Sequence, residues 1–399
     1  MYTDKEKVNF YRILIAMIIG SFINHSSLYW VQPLIMLFSI RFNQSPATAS
    51  LVISITTISI AFALLLAPFV ANNLGRKNTM VLSLSLTSVL NLISVAIDHF
   101  YWLLFVRFLV GVCLSGFLAS VITYLKEEVV SDRLGRIVSI YIAGTAFGGV
   151  SGRIISSFLV EHYELSTMVM MYGGATLIAS LLFGFILPKS TNFEKRPYAL
   201  KNLKQGFSAS LLTNNIRSIY VSCFFTIGIY TSVLNYISYP LSEPPFSLSQ
   251  TVIGLLYFAT LSGMVGSLIF GRFIGIIFDI SLYRISLFVM AFGAILMTTN
   301  VLWLVFIGLF IFAFGMFASN TVASNWLANK APSLHKTEAT SLYSIFYYLG
   351  SSMIGWLSGY VFLFFGWSSF IFIVSGLLLI IIFLLRKVKN NEGLLHANT

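Results

Sequence analysis

The chain has 399 residues, of which 57% are hydrophobic and 9% are charged, and its mean hydropathy is +0.89. A soluble protein of this size does not carry so large an apolar fraction, so the composition predicts a membrane protein that crosses the bilayer many times. The formal net charge of +11 is a feature of nucleic-acid-binding proteins, but here the basic residues sort along the chain as membrane topology requires. Two cysteines, both in apolar runs, predict neither a disulfide framework nor a metal site.

Apolar stretches long enough to cross a bilayer recur from one end of the chain to the other. A polar stretch after the sixth of them separates two sets of six. We therefore expect an N-terminal six-helix bundle over residues 1–187, a cytoplasmic linker over 188–213 and a C-terminal six-helix bundle over 214–399. The twelve predicted spans cover about 11–38, 46–71, 78–97, 100–124, 134–160, 166–187, 214–240, 249–273, 282–299, 301–327, 337–363 and 366–385.

The basic residues predict how these spans are oriented. Of the 24 Lys and Arg, all except Arg41, Arg107 and Arg153 lie at the two chain ends, in the linker segment or in alternate loops. Short loops rich in Lys and Arg stay on the cytoplasmic side, so both termini are predicted to be cytoplasmic. The first residues have no cleavage-site pattern, so we expect the first span to be retained rather than removed as a signal peptide.

The fourth and fifth spans contain arginines and small residues at positions where apolar side chains are usual. Arg107 and Arg153 each lie well inside a span. An arginine there costs roughly 3 kcal/mol on insertion scales, so it is normally paired or faces water. Gly144, Gly148 and Gly152 are four positions apart and share one helix face. Small residues in such a row let two helices approach closely in lipid.

Three short motifs carry a family resemblance. Arg107 and Gly111 form an RxxxG motif, residues 144–153 read GTAFGGVSGR, and residues 68–78 read PFVANNLGRKN. These motifs resemble those of the major facilitator superfamily, and the glycine-rich one is similar to the fifth-helix motif of its drug:proton antiporters. Asn72 departs from the pattern, because the family has an acidic residue there.

The resemblance implies an all-α membrane protein with twelve transmembrane helices in two pseudo-symmetric six-helix bundles. It implies a transporter rather than an enzyme, with a proton gradient as its energy source and no cofactor. We expect a monomer in the cytoplasmic membrane of a bacterium, with a small amphipathic substrate and no nucleic-acid partner. Two further departures lie in the fifth span, where Gly149 replaces the usual proline and Arg153 replaces the last glycine.

Four residues are predicted to take part in transport or proton coupling: His25, Arg107, Glu128 and Arg153. No Asp or Glu lies near the centre of a predicted span, so the imidazole of His25 is the simplest proton carrier. A neighbouring arginine would oppose its protonation, because two positive charges repel in a poorly solvated cavity.

Each of these residues also has a structural alternative. Either arginine can be a buried side chain bonded to backbone carbonyls, and a lone histidine in a helix can be a packing residue. The rival proton carriers are Glu127, Glu128 and Asp279.

The resemblance also implies substrate contacts from spans one, four, seven and ten, and gating residues near the motifs. An aromatic, methionine-bearing cavity with few fixed charges suits bulky amphipathic compounds. The carboxylates at the end of the fourth span are expected to pair with Arg76, Arg133 or Arg136. The predicted substrate contacts are Tyr29, Gln32, Phe225, Thr226, Tyr230, Asn235, Met316, Asn320, Tyr343, Phe346 and Tyr347. The predicted gating residues are Gly75, Arg76, Lys77, Gly144, Gly148, Gly152, Glu127 and Arg136.

These features favour proton-coupled export of amphipathic drugs, with tetracycline-like antibiotics as one candidate class. Efflux of sugars or other metabolites and lipid flipping are the alternative transport functions. An intramembrane enzyme would need a pair of central aspartates, an HExxH motif or a serine with a buried histidine partner. The sequence has no HExxH motif and no central aspartates, which argues against an enzyme.

Overall fold

The computed structural model describes residues 4–94, 97–191, 193, 200–331 and 336–387. The chain ends at 1–3 and 388–399, on which the predicted topology partly depends, lie outside the described residues, as do residues 192 and 194–199 of the predicted linker. The chain divides into two compact units, one formed by residues 1–198 with 248–255 and the other by residues 199–247 with 256–399.

Helices make up nearly all of the described chain, and no β-strand occurs in it. Short 3-10 turns lie at Gln32–Leu34, Tyr257–Leu261 and Leu385–Lys387. The helices are α1 (Asp4–Tyr29), α2 (Ile35–Arg41), α3 (Pro46–Ala49), α4 (Leu51–Leu74), α5 (Arg76–Ile93), α6 (Phe100–Glu128), α7 (Ser131–His162), α8 (Leu165–Ile186), α9 (Leu200–Leu212), α10 (Asn214–Tyr236), α11 (Ser238–Ser242), α12 (Gln250–Leu256), α13 (Ser262–Phe273), α14 (Asp279–Leu296), α15 (Leu302–Lys330) and α16 (Lys336–Leu384).

Proline, serine and glycine set several of the helix boundaries. The chain leaves α1 through a 3-10 turn that contains Pro33, because proline has no amide hydrogen to donate. The Ser45 hydroxyl accepts a hydrogen bond from the Thr48 amide at 3.1 Å and so caps α3. Gly75 has φ 85° between α4 and α5, and Gly366 has φ 73° within α16. Both values lie in the left-handed region, where glycine carries no side-chain penalty.

The described helices cover most of the predicted membrane spans. Among the residues that the structure describes, ten stretches are long and apolar enough to cross a bilayer. One of them, Glu338–Leu384, contains the predicted eleventh and twelfth spans on either side of Gly366. The less apolar helix α5 covers most of the predicted third span. The predicted all-α, multi-span fold is therefore confirmed, whereas the total of twelve spans stays a prediction.

The two units repeat the same pattern of helix contacts. In the first unit α1 packs against α7, α4 against α6, and α5 against α6. In the second unit the corresponding pairs are α10 with α16, α13 with α15, and α14 with α15. The first unit also has a core of fully buried side chains from α1, α5, α6 and α8, among them Met17, Leu84, Phe117 and Phe183. This repetition is typical of transporters that arose from duplicated halves.

Candidate transport site

The glycine ridge of α7 packs directly on the backbone of α1. A Cβ atom on Gly148 would lie 2.5 Å from the Phe22 carbonyl oxygen and 2.7 Å from its Cα. A Cβ atom on Gly152 would lie 2.8 Å from the Cα of Ser26, and one on Gly144 would overlap the Ser21 hydroxyl. The sequence therefore located a close helix contact correctly, and a gating role for these glycines stays a prediction.

Because α7 approaches α1 so closely, Arg153 reaches the end of α1. Its Nε donates to the Gln32 Oε1 at 2.7 Å, and one terminal nitrogen donates to the Gly149 carbonyl at 2.9 Å. The guanidinium carbon lies 4.2 Å from the centre of the Tyr29 ring, which is a cation–π contact. The arginine is buried, with 5% of its surface exposed. The structure thus brings together one predicted transport residue and two predicted substrate contacts.

His25 lies one helical turn before Tyr29 on α1. Its Nδ1 atom is buried and has no hydrogen-bond partner among the described residues. Arg153 lies close enough for its positive charge to act on the imidazole. The first unit therefore contains both a buried imidazole on α1 and a buried cation at the end of α1, and proton coupling through them stays a prediction.

Arg107 occupies a different environment from Arg153. Its three guanidinium nitrogens donate to the carbonyls of Val52 at 3.0 Å, Ser27 at 3.3 Å and Leu28 at 3.1 Å. The guanidinium also lies 5.9 Å from the ring of Trp30, and 1% of the residue is exposed. These bonds tie α6 to α1 and α4, which is the arrangement of the structural alternative. A direct role for Arg107 in transport stays a prediction.

Sequence reasoning did not single out Tyr172, which lies near this arginine. Its hydroxyl is 2.5 Å from the Ser26 hydroxyl, and its ring lies 5.5 Å from that of Trp30. A tyrosine within a predicted membrane span was the available signal, because a buried phenol usually needs a hydrogen-bond partner.

The carboxylates at the end of α6 make two separate sets of contacts. Glu127 pairs with Arg76 at 3.4 Å, and the Arg76 guanidinium lies 5.2 Å from the ring of Phe193. This is one of the ion pairs that the sequence predicted. Glu128 instead accepts hydrogen bonds from the backbone amide and the hydroxyl of Thr191, each at 2.7 Å.

The other predicted gating cations lie nearby. Lys77 donates to the Leu187 carbonyl at 2.5 Å, and the side chain of Arg136 is exposed on α7.

The predicted substrate contacts of the second unit differ in accessibility. The Tyr343 hydroxyl donates to the Asn320 Oδ1 at 2.7 Å and so joins α16 to α15. Thr226 bonds to the carbonyl of Ser222 within α10. The buried residues are Thr226, Tyr230, Asn235, Met316 and Tyr343, whereas Phe225, Asn320, Phe346 and Tyr347 are partly exposed.

A protein-family model described as Major Facilitator Superfamily matches residues 17–275 and 220–397 of the chain. The chain belongs to this superfamily. It is 32% identical to the uncharacterized MFS-type transporter YybF of Bacillus subtilis, over 98% of this chain and 99% of that protein. It is also 32% identical to the inner membrane transport protein YnfM of Escherichia coli, over 92% of this chain and 90% of that protein.

Solved structures agree with this membership. A crystal structure of a D-xylose-proton symporter matches with a TM-score of 0.75 and 14% identity, over 95% of this chain and 98% of that one. The fold is therefore shared with known transporters. The protein is a multi-pass membrane transporter of a small molecule and not an enzyme, as its motifs predicted.

Proposed function

We propose that this transporter exports amphipathic small molecules in exchange for protons by alternating access, with tetracycline-like antibiotics as a candidate class. The observation that carries the proposal is the cluster of His25, Tyr29, Gln32 and Arg153. It combines a titratable ring, a fixed cation, an aromatic face and a neutral amide within membrane-spanning segments. Intramembrane ionisable residues commonly mark substrate or proton pathways.

An exporter needs an energy source, and the sequence contains no GxxxxGK[ST] phosphate-binding motif. A proton gradient requires a group that gains and loses a proton within the membrane. His25 is the candidate, because an imidazole can titrate in the physiological range and this one lies within a membrane-spanning segment. A conformational change that alters the solvation of the imidazole or its separation from Arg153 would change its proton affinity, and that change would couple proton movement to transport.

The substrate class is supported by the aromatic side chains of the second unit. Phe225, Phe346 and Tyr347 are partly exposed, and they carry no charge. Such surfaces suit bulky amphipathic compounds better than sugars, which need paired amides and carboxylates. A partial match supports the same class: the chain is 26% identical over 41% of its length to the multi-drug resistance efflux pump PmrA of Streptococcus pneumoniae.

The test is substrate-driven proton movement in proteoliposomes that contain a pH-sensitive dye. Ethidium and tetracycline are the probes, and wild type is compared with His25→Ala, Glu128→Gln and His162→Ala. His162 is the matched control, because it is an exposed histidine at the end of α7. We expect proton flux from wild type and from the His162 and Glu128 variants, and none from His25→Ala.

The other outcomes separate the parts of the proposal. Flux retained by His25→Ala and lost by Glu128→Gln would move the proton carrier to the end of α6. Probe transport by wild type without proton flux would contradict the antiport mechanism. No transport of either probe, with or without a proton gradient, would contradict the substrate class.

A further inference from the structure

A polar cavity lies in the first unit, and none of the residues clustered around Arg153 lines it. It has a volume of about 720 Å³ and lies among the ends of α1, α5, α6, α7 and α8. Four basic side chains line it, from Arg12, Lys77, Arg133 and Lys189. Glu128 is the acidic residue among the described residues of its wall. The transport function proposed above uses none of these four cations.

The carbonyl groups at the end of α8 hold two of these cations in place. Arg12 donates to the carbonyls of Ile186 at 3.0 Å and Phe185 at 3.2 Å, and Lys77 donates to that of Leu187 at 2.5 Å. Cations at a helix C-terminus also interact favourably with its dipole. A guanidinium has five N–H donors and an ammonium has three, so these bonds leave donors on both side chains for a ligand.

The cavity carries an excess of positive charge. Glu128 can offset one cation, and it is already bonded to the amide and hydroxyl of Thr191. Partial burial, together with the positive charges of Arg12 and Lys189, lowers the pKa of Lys77. An anion in the cavity would relieve this repulsion.

The chemistry and size of the cavity select a phosphate group on a larger molecule. Arginine and lysine together favour phosphate, because the guanidinium offers a planar fork and the ammonium a point charge. A cavity of about 720 Å³ exceeds the volume of a single inorganic ion and has room for a lipid head group.

An apolar surface begins at the same cavity. Phe185 lines it with 83% of its surface exposed, and Ile178, Leu181 and Leu182 continue an exposed row along α8. An acyl chain can lie on this row while its head group occupies the cavity.

We propose that this cavity binds the phosphate group of an anionic phospholipid. The basic loops predict that this end of the unit faces the cytoplasm, where anionic lipids attract basic residues next to a span. The site would tie the ends of five helices to the inner leaflet.

The experiment measures lipid retention by the purified full chain with native mass spectrometry. Phosphatidylglycerol is compared with phosphatidylcholine, and inorganic phosphate is added separately as a soluble competitor. The test variant combines Arg133→Gln with Lys189→Gln, which leaves Arg12 and Lys77 bonded to α8. The matched control combines Lys126→Gln with Arg136→Gln, since both residues are basic and neither lines the cavity.

We expect wild type to retain phosphatidylglycerol in preference to phosphatidylcholine. Each basic residue near an anionic lipid contributes about fivefold in affinity, so the test variant should lose about 25-fold for phosphatidylglycerol. The control should lose much less than the test variant, because neither of its residues lines the cavity. Competition by inorganic phosphate with wild type, but not with the test variant, would also support the phosphate site.

Two outcomes would overturn the proposal. One is an unchanged preference for phosphatidylglycerol in the test variant. The other is a wild type with no preference for phosphatidylglycerol; if inorganic phosphate still bound to it, the ligand of the cavity would be a soluble phosphate and not a lipid. Lys77→Gln provides an independent check, because it removes a third cation from the same wall.

Discussion

The helix pair α1–α7 of the first unit and the pair α10–α16 of the second are built on the same plan but carry different chemistry. Both rely on glycine: Gly148 packs on the backbone of Phe22, and a Cβ atom on Gly350 would lie 2.7 Å from the Cα of Phe224. The first pair contains the buried cation Arg153. At the second contact, hydroxyl and amide groups meet instead, as in the 2.9 Å hydrogen bond between Thr231 and Ser351.

This difference bears on where a buried charge could serve transport. Hydrogen bonds between membrane helices average about 0.6 kcal/mol, so a bond such as that between Thr231 and Ser351 suits helix packing. An arginine within a span costs roughly 3 kcal/mol, which is more than several such bonds supply. If helix packing were the only requirement, the uncharged hydroxyl and amide contacts of α10–α16 would also serve between α1 and α7. A transport role for Arg153 and a packing role for the glycine rows of both pairs are therefore the predictions to be tested.

The largest effect is expected from Gly148→Leu. This substitution disrupts what the two pairs share, a glycine packed against the backbone of the facing helix. The new side chain would meet backbone atoms of Phe22, which cannot rotate away. Overpacking typically costs 1–3 kcal/mol, and a clash with backbone should reach about 3 kcal/mol or more. We expect a clear fall in the unfolding temperature in detergent and loss of transport.

Gly174→Leu is the matched control, because a Cβ atom at Gly174 meets nothing within 4 Å. Equal stability of the Gly148 and Gly174 variants would show that the ridge is not a tight contact.

The next effect distinguishes the two buried arginines. Arg107→Ala would leave the carbonyls of Val52, Ser27 and Leu28 without their donor. At about 1 kcal/mol for each lost bond, the free energy of unfolding should fall by about 3 kcal/mol. We expect the variant to insert into the membrane, to unfold at a lower temperature and to lose transport. Full transport by a well-expressed Arg107→Ala protein would remove Arg107 from the mechanism.

Arg153→Gln should affect transport far more than stability. Glutamine can keep a hydrogen bond to Gln32, and removing a buried cation also removes its desolvation cost. We expect an unfolding free energy within about 1 kcal/mol of wild type and at least a tenfold fall in transport of the probe. Uptake into proteoliposomes and thermal unfolding are measured on the same preparation. A variant that loses stability and keeps transport would give Arg153 the structural role that we assign to α10–α16.

Some parts of this comparison could be predicted from the sequence. The glycine row is visible because its members are four residues apart, and the depth of Arg153 within its span marked it as a candidate. The partners of these residues were not predictable to the same degree. Phe22 and Ser26 form the opposite wall only because α1 happens to face α7.

The basic residues of the predicted cytoplasmic loops show the same limit more clearly. Arg12, Lys77, Arg133 and Lys189 lie in different segments and all served as topology signals. Lys77 was also a predicted gating residue, and Arg133 was a predicted ion-pair partner. Their convergence on one cavity depends on how five helices end together, which no local pattern encodes. Likewise, the motif around Arg107 identified the family, but the carbonyls that hold this arginine come from two other helices.

The smallest predicted effect concerns the pair α10–α16. It tests whether a hydrogen bond between these helices has the strength usual for membrane helices. Thr231→Val and Ser351→Ala each remove one side of the 2.9 Å hydrogen bond between α10 and α16. A double-mutant cycle on the unfolding free energy should give a coupling of about 0.6 kcal/mol.

Thr298→Val with Ser344→Ala is the matched pair, because each hydroxyl bonds to a carbonyl of its own segment, and its coupling should be near zero. The single variants should also transport the probe at the wild-type rate, since no charge is altered. A coupling above about 2 kcal/mol would exceed the largest values usual for such bonds. In that case hydrogen bonds between α10 and α16 would contribute as much stabilisation as the contacts that Arg153 makes between α7 and the end of α1. The specialisation of the first unit would then have to rest on transport measurements with Arg153→Gln alone.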